Sequence, residues 1–310
     1  LQQNRIAWYR MEQAKRRLLD ALAGLGLRPR SRRDDPPQGL GFRFLADSFP
    51  SGPVLTGHHE GIITLNLAEA DEVLRERTRA LIGEPYRTLL GHFRHEIGHY
   101  YWGRLFEAPA QRAAFRALFG DERTDDRANL QQQYIWGPPP RWQQQFISGY
   151  ASAHPWEDWA ETWAQVLHMG DTLETAQACD LVLAPTHAED PCLAASDGAE
   201  RAGGFDALLA DWLALSYVLN NLRRSLGLPD GCEVPLAVTV IHKLRFVHER
   251  LQAAGASPQP LGTDGDRAVR AGAQMKRRAG PTLTATQLER RVQQGNGLIC
   301  RCRHFFRFRV

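Results

Sequence analysis

Two histidines and a glutamate stand in the order His95-Glu96-Ile97-Gly98-His99, inside a stretch that reads as one helix. At 3.6 residues per turn, His95 and His99 project from the same face one turn apart. Neutral imidazoles at that spacing can share one Zn²⁺, and Glu96 beside them can take a proton from a water held there. The chain has 11 histidines in 310 residues, so a pattern this short needs support from elsewhere. A catalytic zinc site takes three protein ligands and keeps one position open.

Candidates for the third ligand follow downstream: His154, Glu157, Asp158, Glu161 and His168, all within one apparent helix and its lead-in. Glu157 and Glu161 are one turn apart on one face, among Trp156, Trp159 and Trp163. Carboxylates among tryptophans are costly to bury unless something positive pairs with them, and a zinc ion beside a histidine ring edge would do so. A half-exposed helix whose acidic stripe faces water is the other account of the same residues.

The elements that must position these groups can be read in chain order. Ile6 to Leu25 reads as an amphipathic helix, and residues 28–39, with Pro29, Pro36 and Pro37, as a loop. Strand-like runs follow at 40–45, 53–56 and 62–67. The last two are joined through Gly57-His58-His59-Glu60-Gly61, which suits a five-residue hairpin link. His58 and His59 at its tip read as exposed turn residues or as further ligands. Glu69 to Leu81 is charged and helical, and Pro85 is suited to start the next helix. There Leu89, Leu90, Phe93, Ile97 and Tyr101 recur at a spacing of three to four, which predicts a buried face beside the histidines. Arg112–Phe119 is a further helix, and residues 121–136 are polar. Pro155 marks the start of the Trp156–Trp163 helix, because the residue before proline avoids the α region. Phe205–Leu226 and Val238–Leu251 complete the helices. The implied arrangement is α+β and mainly helical, in three parts: an N-terminal helix and linker (1–39), a central domain (40–252), and a basic tail (253–310) expected to be disordered.

Composition narrows the classes. A chain that is 43% hydrophobic buries a real core. No run of 18 apolar residues spans a membrane, and Leu1-Gln2-Gln3-Asn4-Arg5 lacks the pattern of a signal peptide. The five cysteines are scattered, with no CxxC pair, which fits unpaired thiols and a cytoplasmic location. The net charge of +3 divides unevenly: from Gln252 onward 11 basic residues face 3 acidic ones. A basic tail can touch nucleic acid, although solvated disorder also accounts for it.

Two blocks carry a family resemblance. Gly83 through Trp102, and Phe146 through Trp163, resemble the bacterial putative zinc-binding metallopeptidase family, and the likeness spans about residues 5–250. Tyr150, Glu157 seven residues on, and Glu161 four further are similar to the active-site order of anthrax lethal factor-like peptidases. That resemblance implies a zincin-like, gluzincin-type fold: a small antiparallel sheet packed on the HExxH helix, followed by a helical C-terminal subdomain. It implies His95, His99 and Glu157 as ligands of one catalytic Zn²⁺, and Glu96 as general base. Tyr150 would donate to the oxyanion, and Glu161 would accept from a ligand histidine. Members of that bacterial family usually begin with a cysteine-rich zinc ribbon, whereas the first cysteine here is Cys179.

The expected activity is hydrolysis of peptide bonds in a peptide or protein substrate, by a zinc-activated water. An extended substrate is expected to pair with the second strand of the hairpin. A non-hydrolytic zinc-binding module that holds a peptide in the same cleft is the rival of a different class. A nucleic-acid-associated protease is a third reading. It rests on the tail, where Phe305–Val310 interleaves aromatics with arginine, and six residues do not define a binding site.

Overall fold

Apolar stripes at helical spacing become seven helices among the described residues, and a small sheet closes one side. The computed structural model describes residues 2–48, 52–75, 88–184, 192–193, 204–232 and 235–256. The basic tail from 257 onward, Pro85, residues 76–81 of the 69–81 segment and the Cys300–Cys302 pair lie outside them. Helix α1 (Gln2–Gly24) buries Met11, Leu18 and Leu22 and packs against helix α2 (Leu89–Leu105). Thr88 caps α2, its hydroxyl accepting from Gly91 N at 2.9 Å, which satisfies one of the backbone donors orphaned at a helix start. The motif histidines therefore sit mid-helix, on backbone held at both ends.

The sheet has three strands: β1 (Gly41–Leu45), β2 (Gly57–His59) and β3 (Ile62–Asn66), in the order β1-β3-β2. Phe42 and Phe44 of β1 each approach Phe93 of α2 with ring centroids 5.9 Å apart, so the sheet packs on the motif helix. Two expectations need correction. The sheet is mixed rather than antiparallel, because β1 pairs with β3 in parallel. The sixteen residues between them, which include the first hairpin strand, are long enough for the crossover that parallel pairing requires. The hairpin is also tighter than the five-residue link suggested. Gly57–His59 is itself strand, and only Glu60 and Gly61 turn, both with positive φ (47° and 80°) as a type I′ turn demands. Residues 53–56 are not strand. As the central strand, β3 is hydrogen-bonded on both sides, so the expected substrate pairing along it has no free edge.

Helix α3 (Pro109–Phe119) ends at Gly120, and the polar stretch after it folds as α4 (Asp126–Trp136), capped by Asp125. No residue of α4 is buried, which is why no apolar stripe announced it. Helix α5 (Pro155–Ala178) runs longer than the tryptophan-rich segment and is capped by His154, whose Nδ1 accepts from Trp156 N at 3.2 Å. Helices α6 (Gly204–Ser225) and α7 (Val238–Ala256) pack on α5. The core between α2, α3 and α5 is largely aromatic: Tyr101 stacks on Trp163 at 5.1 Å, and Phe106 meets Trp159 edge-on at 5.0 Å. None of the described helices is long and apolar enough to cross a membrane.

The anchor between α5 and α7 is ionic. Lys243 Nζ lies 2.6 Å from Asp158 Oδ2, donates to the Gln145 carbonyl at 2.7 Å, and stands 4.4 Å from the Phe146 ring centroid. Both side chains are at least 96% buried. Removing one member of such a pair strands the other's charge, whereas replacing both with apolar groups can be nearly neutral. We therefore expect Lys243→Met to lower stability by about 3–5 kcal/mol, and Asp158→Leu added to it to restore most of the loss. Denaturant unfolding of the two variants measures this, and an unchanged midpoint in the single variant contradicts it.

Candidate metal centre

The histidine helix and the tryptophan-rich helix meet where each is thinnest. A Cβ on Gly98 would lie 3.1 Å from Ala160 Cα and 3.2 Å from the Trp163 ring, and Trp159 Nε1 donates to the Gly98 carbonyl at 2.9 Å. Glycine inside a helix is disfavoured by up to about 1 kcal/mol against alanine, and here it permits the close approach. Across that contact α2 and α5 face each other with His95 and His99 on one side and Glu157 and Glu161 on the other.

Three atoms converge. His95 Nε2 is 3.1 Å from His99 Nε2 and 3.0 Å from Glu157 Oε2, and His99 Nε2 is 3.7 Å from the same oxygen. They form the metal-competent cluster found among the described residues. The spacing suits a zinc ion: ligand bonds of about 2.0–2.1 Å in tetrahedral arrangement put neighbouring donor atoms about 3.3 Å apart. Hydrogen bonding fits as well. Glu157 Oε2 is buried with no hydrogen-bond partner, despite two imidazole nitrogens within 4 Å. Burial works against a charge on Glu157, yet His99 and His95 outweigh it and hold the carboxyl well below its usual range. The reverse holds for His95, where burial opposes the charge but Glu157 and Glu161 pull the imidazole upward.

Behind these groups a hydrogen-bonded chain fixes orientation. Glu161 Oε1 lies 2.7 Å from His95 Nδ1, and its Oε2 accepts from Ser148 Oγ at 2.8 Å. Ser148 also accepts from Ala151 N at 3.1 Å. With Nδ1 donating to Glu161, the lone pair of His95 is on Nε2, aimed at the converging point. Ser148 ties this carboxylate to the turn Tyr150–Ala153. The Tyr150 ring centroid is 5.9 Å from that of His95. A cleft of about 560 Å³ opens here, lined by His95, Glu96, Tyr150 and Glu161 among others. Glu96 Oε2 is buried with no hydrogen-bond partner, and burial raises its carboxyl pKa against the pull of His95 and His99.

The remaining candidates lie elsewhere. Asp158 belongs to Lys243. His154 caps α5 and approaches the Thr124 carbonyl at 3.2 Å. His168 meets Arg94 and the edge of Trp212. His58 is not a free turn residue: its Nε2 accepts from Gly61 N at 3.0 Å and its ring packs edge-on to Tyr100. Burial, with His99 and His59 adding to it, depresses His58 to about 4, and the hairpin uses its lone pair. Three cleft groups had no signal in the sequence. They are Ser148, the Glu69–His92 ion pair with Thr56 donating to Glu69, and buried Arg94.

The profile of a protein family described as "Putative zinc-binding metallo-peptidase" matches residues 4–250. The chain belongs to that family. Relatives include uncharacterized proteins of Mycobacterium tuberculosis (strain H37Rv) and Mycobacterium bovis, each 45% identical over 240 residues, which is 77% of this chain and 68% of the relative. No solved structure matches the chain significantly. The matched span of the zinc-binding metallo-peptidase family includes both helices of the cluster.

Metal stoichiometry separates the roles of the two glutamates. Glu157→Ala is expected to lose zinc outright. Glu161→Gln, which leaves the three converging atoms in place, is expected to weaken zinc by about 10–100-fold. Elemental analysis and competition with a chromogenic chelator measure both. Full zinc retention in Glu157→Ala, with loss in the Glu161 variant, reverses the assignment.

Proposed function

We propose that this protein is a single-zinc peptidase of the gluzincin type, with His95, His99 and Glu157 as ligands. The observation that carries the reading is the convergence of two imidazole nitrogens and an otherwise unpartnered carboxylate oxygen beside a cleft that Glu96 and Tyr150 also line. Zinc, when bound, polarises a carbonyl and acidifies water, so that hydroxide is available near neutral pH. Membership of a family described as zinc-binding metallo-peptidases supports a peptide as the substrate.

The protein's own groups then divide the work. Glu96 has a buried oxygen with no competing hydrogen bond, so it accepts the proton of the attacking water and returns it to the leaving amine. Its raised pKa brings it closer to the operating pH, where proton transfer in both directions is efficient. Tyr150 donates its phenol to the carbonyl oxygen as that oxygen gains charge, and Ser148 and Glu161 hold its turn against the histidine side of the site. Glu161 keeps His95 in the tautomer that leaves Nε2 free.

Glu96→Gln is expected to bind zinc as the parent does and to hydrolyse no peptide. Tyr150→Phe is expected to keep zinc and lose about 10²–10³ in kcat, the effect of removing one oxyanion donor. Turnover of a quenched fluorescent peptide library, with zinc content measured on the same samples, checks both. Equal turnover by the parent and Glu96→Gln would sink the mechanism. A zinc-loaded parent that cleaves nothing would favour the rival in which the cleft only holds a peptide.

A further inference from the structure

The cleft extends beyond the metal cluster toward the start of α2, and two buried polar side chains line that end. Arg94, beside His95 in sequence, keeps 6% of its surface accessible. Its Nη2 donates to Asp171 Oδ2 at 2.5 Å, and its Nη1 lies 3.1 Å from His168 Nδ1. These contacts use two of the five N–H donors of a guanidinium. Asp171 is shared, since Arg17 Nε reaches the same oxygen at 3.3 Å. One carboxylate thus serves two guanidinium ions. His168 adds no balancing charge, and burial together with Arg94 depresses its imidazole to about 4.

Gln165 is the second observation. It lines the same cleft with 6% of its surface accessible, and its side-chain amide bonds to no other described residue. Neither amide atom is cut off from solvent, so the group stays open to the cleft. The amide group and the guanidinium together present N–H donors to one end of the cleft, which is the chemistry that recognises a carboxylate.

We infer that Arg94 and Gln165 form a subsite for a carboxylate of the bound peptide. This inference rests on the peptidase reading and gives it a substrate class. Position along α5 supplies a ruler. Gln165 follows Glu161, the partner of His95, by four residues, about 6 Å along the axis. An extended peptide advances about 3.3–3.6 Å per residue, so the carboxylate belongs to a residue one or two positions from the bond at the metal centre. An acidic side chain and a free chain terminus both offer that group.

The test measures binding rather than turnover. Four fluorescein-labelled peptides of one sequence carry an interior Glu or Gln, each with a free or amidated C-terminus. Their affinities are read by fluorescence anisotropy with zinc-loaded Glu96→Gln protein, and with the same protein carrying Arg94→Gln or Gln165→Ala. We expect at least a tenfold preference for the carboxylate in the starting protein. We expect it to fall below twofold with Arg94→Gln and by threefold or more with Gln165→Ala. A preference seen only in the Glu–Gln contrast names a side chain, and one seen only in the acid–amide contrast names the chain terminus; both support the subsite. Equal affinities for all four peptides overturn it. So does a preference that survives both substitutions, which assigns the carboxylate to another group, the metal included. Should Arg94→Gln not fold, Gln165→Ala decides alone. A preference of the expected kind in a parent protein that hydrolyses nothing would keep the subsite and remove the peptidase reading, and a hydrolysing parent without the preference would do the reverse.

Discussion

The close approach of α2 and α5 at Gly98 is the constraint on which the rest depends. Zinc ligands must come within about 3.3 Å of one another, and the candidates here are drawn from two helices, Glu157 following His99 by 58 positions. A side chain at position 98 would meet backbone at Ala160 and the ring of Trp163, neither of which can give way as a flexible tip would. The aromatic core around Trp159, Trp163, Tyr101 and Phe106 then makes the approach rigid, because stacked and edge-on rings resist small shifts in a closely packed interior.

Rigidity matters because a metal site requires its donor atoms at fixed spacing. Two imidazole nitrogens face each other at 3.1 Å, and a carboxylate oxygen lies beside them without a hydrogen bond. Packing on every side of α2 holds these groups together: the phenylalanines of β1, helix α1, and the turn that carries Ser148.

Much of the site was legible in the sequence, because its chemistry follows helical spacing. His95 and His99, and Glu157 and Glu161, are one-turn pairs, and in the structure the three atoms that converge are those of His95, His99 and Glu157. What was not legible has no period. Ser148 reaches Glu161 from a turn, Glu69 reaches His92 across 23 residues, and Arg94 reaches Asp171 across 77. The fold followed the same division. Most helices with an apolar stripe were readable to within a few residues, although α5 runs fifteen residues past the segment read as helical, and α4, which buries no residue, was not read at all. Parallel pairing of β1 with β3 depends on which strands become neighbours, and alternation along a strand does not encode that.

Glu157 and Asp158 are consecutive, yet one faces the histidines and the other faces Lys243. Successive helical residues point about 100° apart, so these two carboxylates fix the rotation of α5 about its own axis from two directions. Turning the helix by one residue would send Asp158 toward the imidazoles and set Trp159 in its place opposite Lys243. The pair therefore acts as a phase lock: the ion pair with α7 sets the angular setting of the helix, and the neighbouring carboxylate inherits its aim from it. A residue outside the cluster thereby decides where a candidate ligand points.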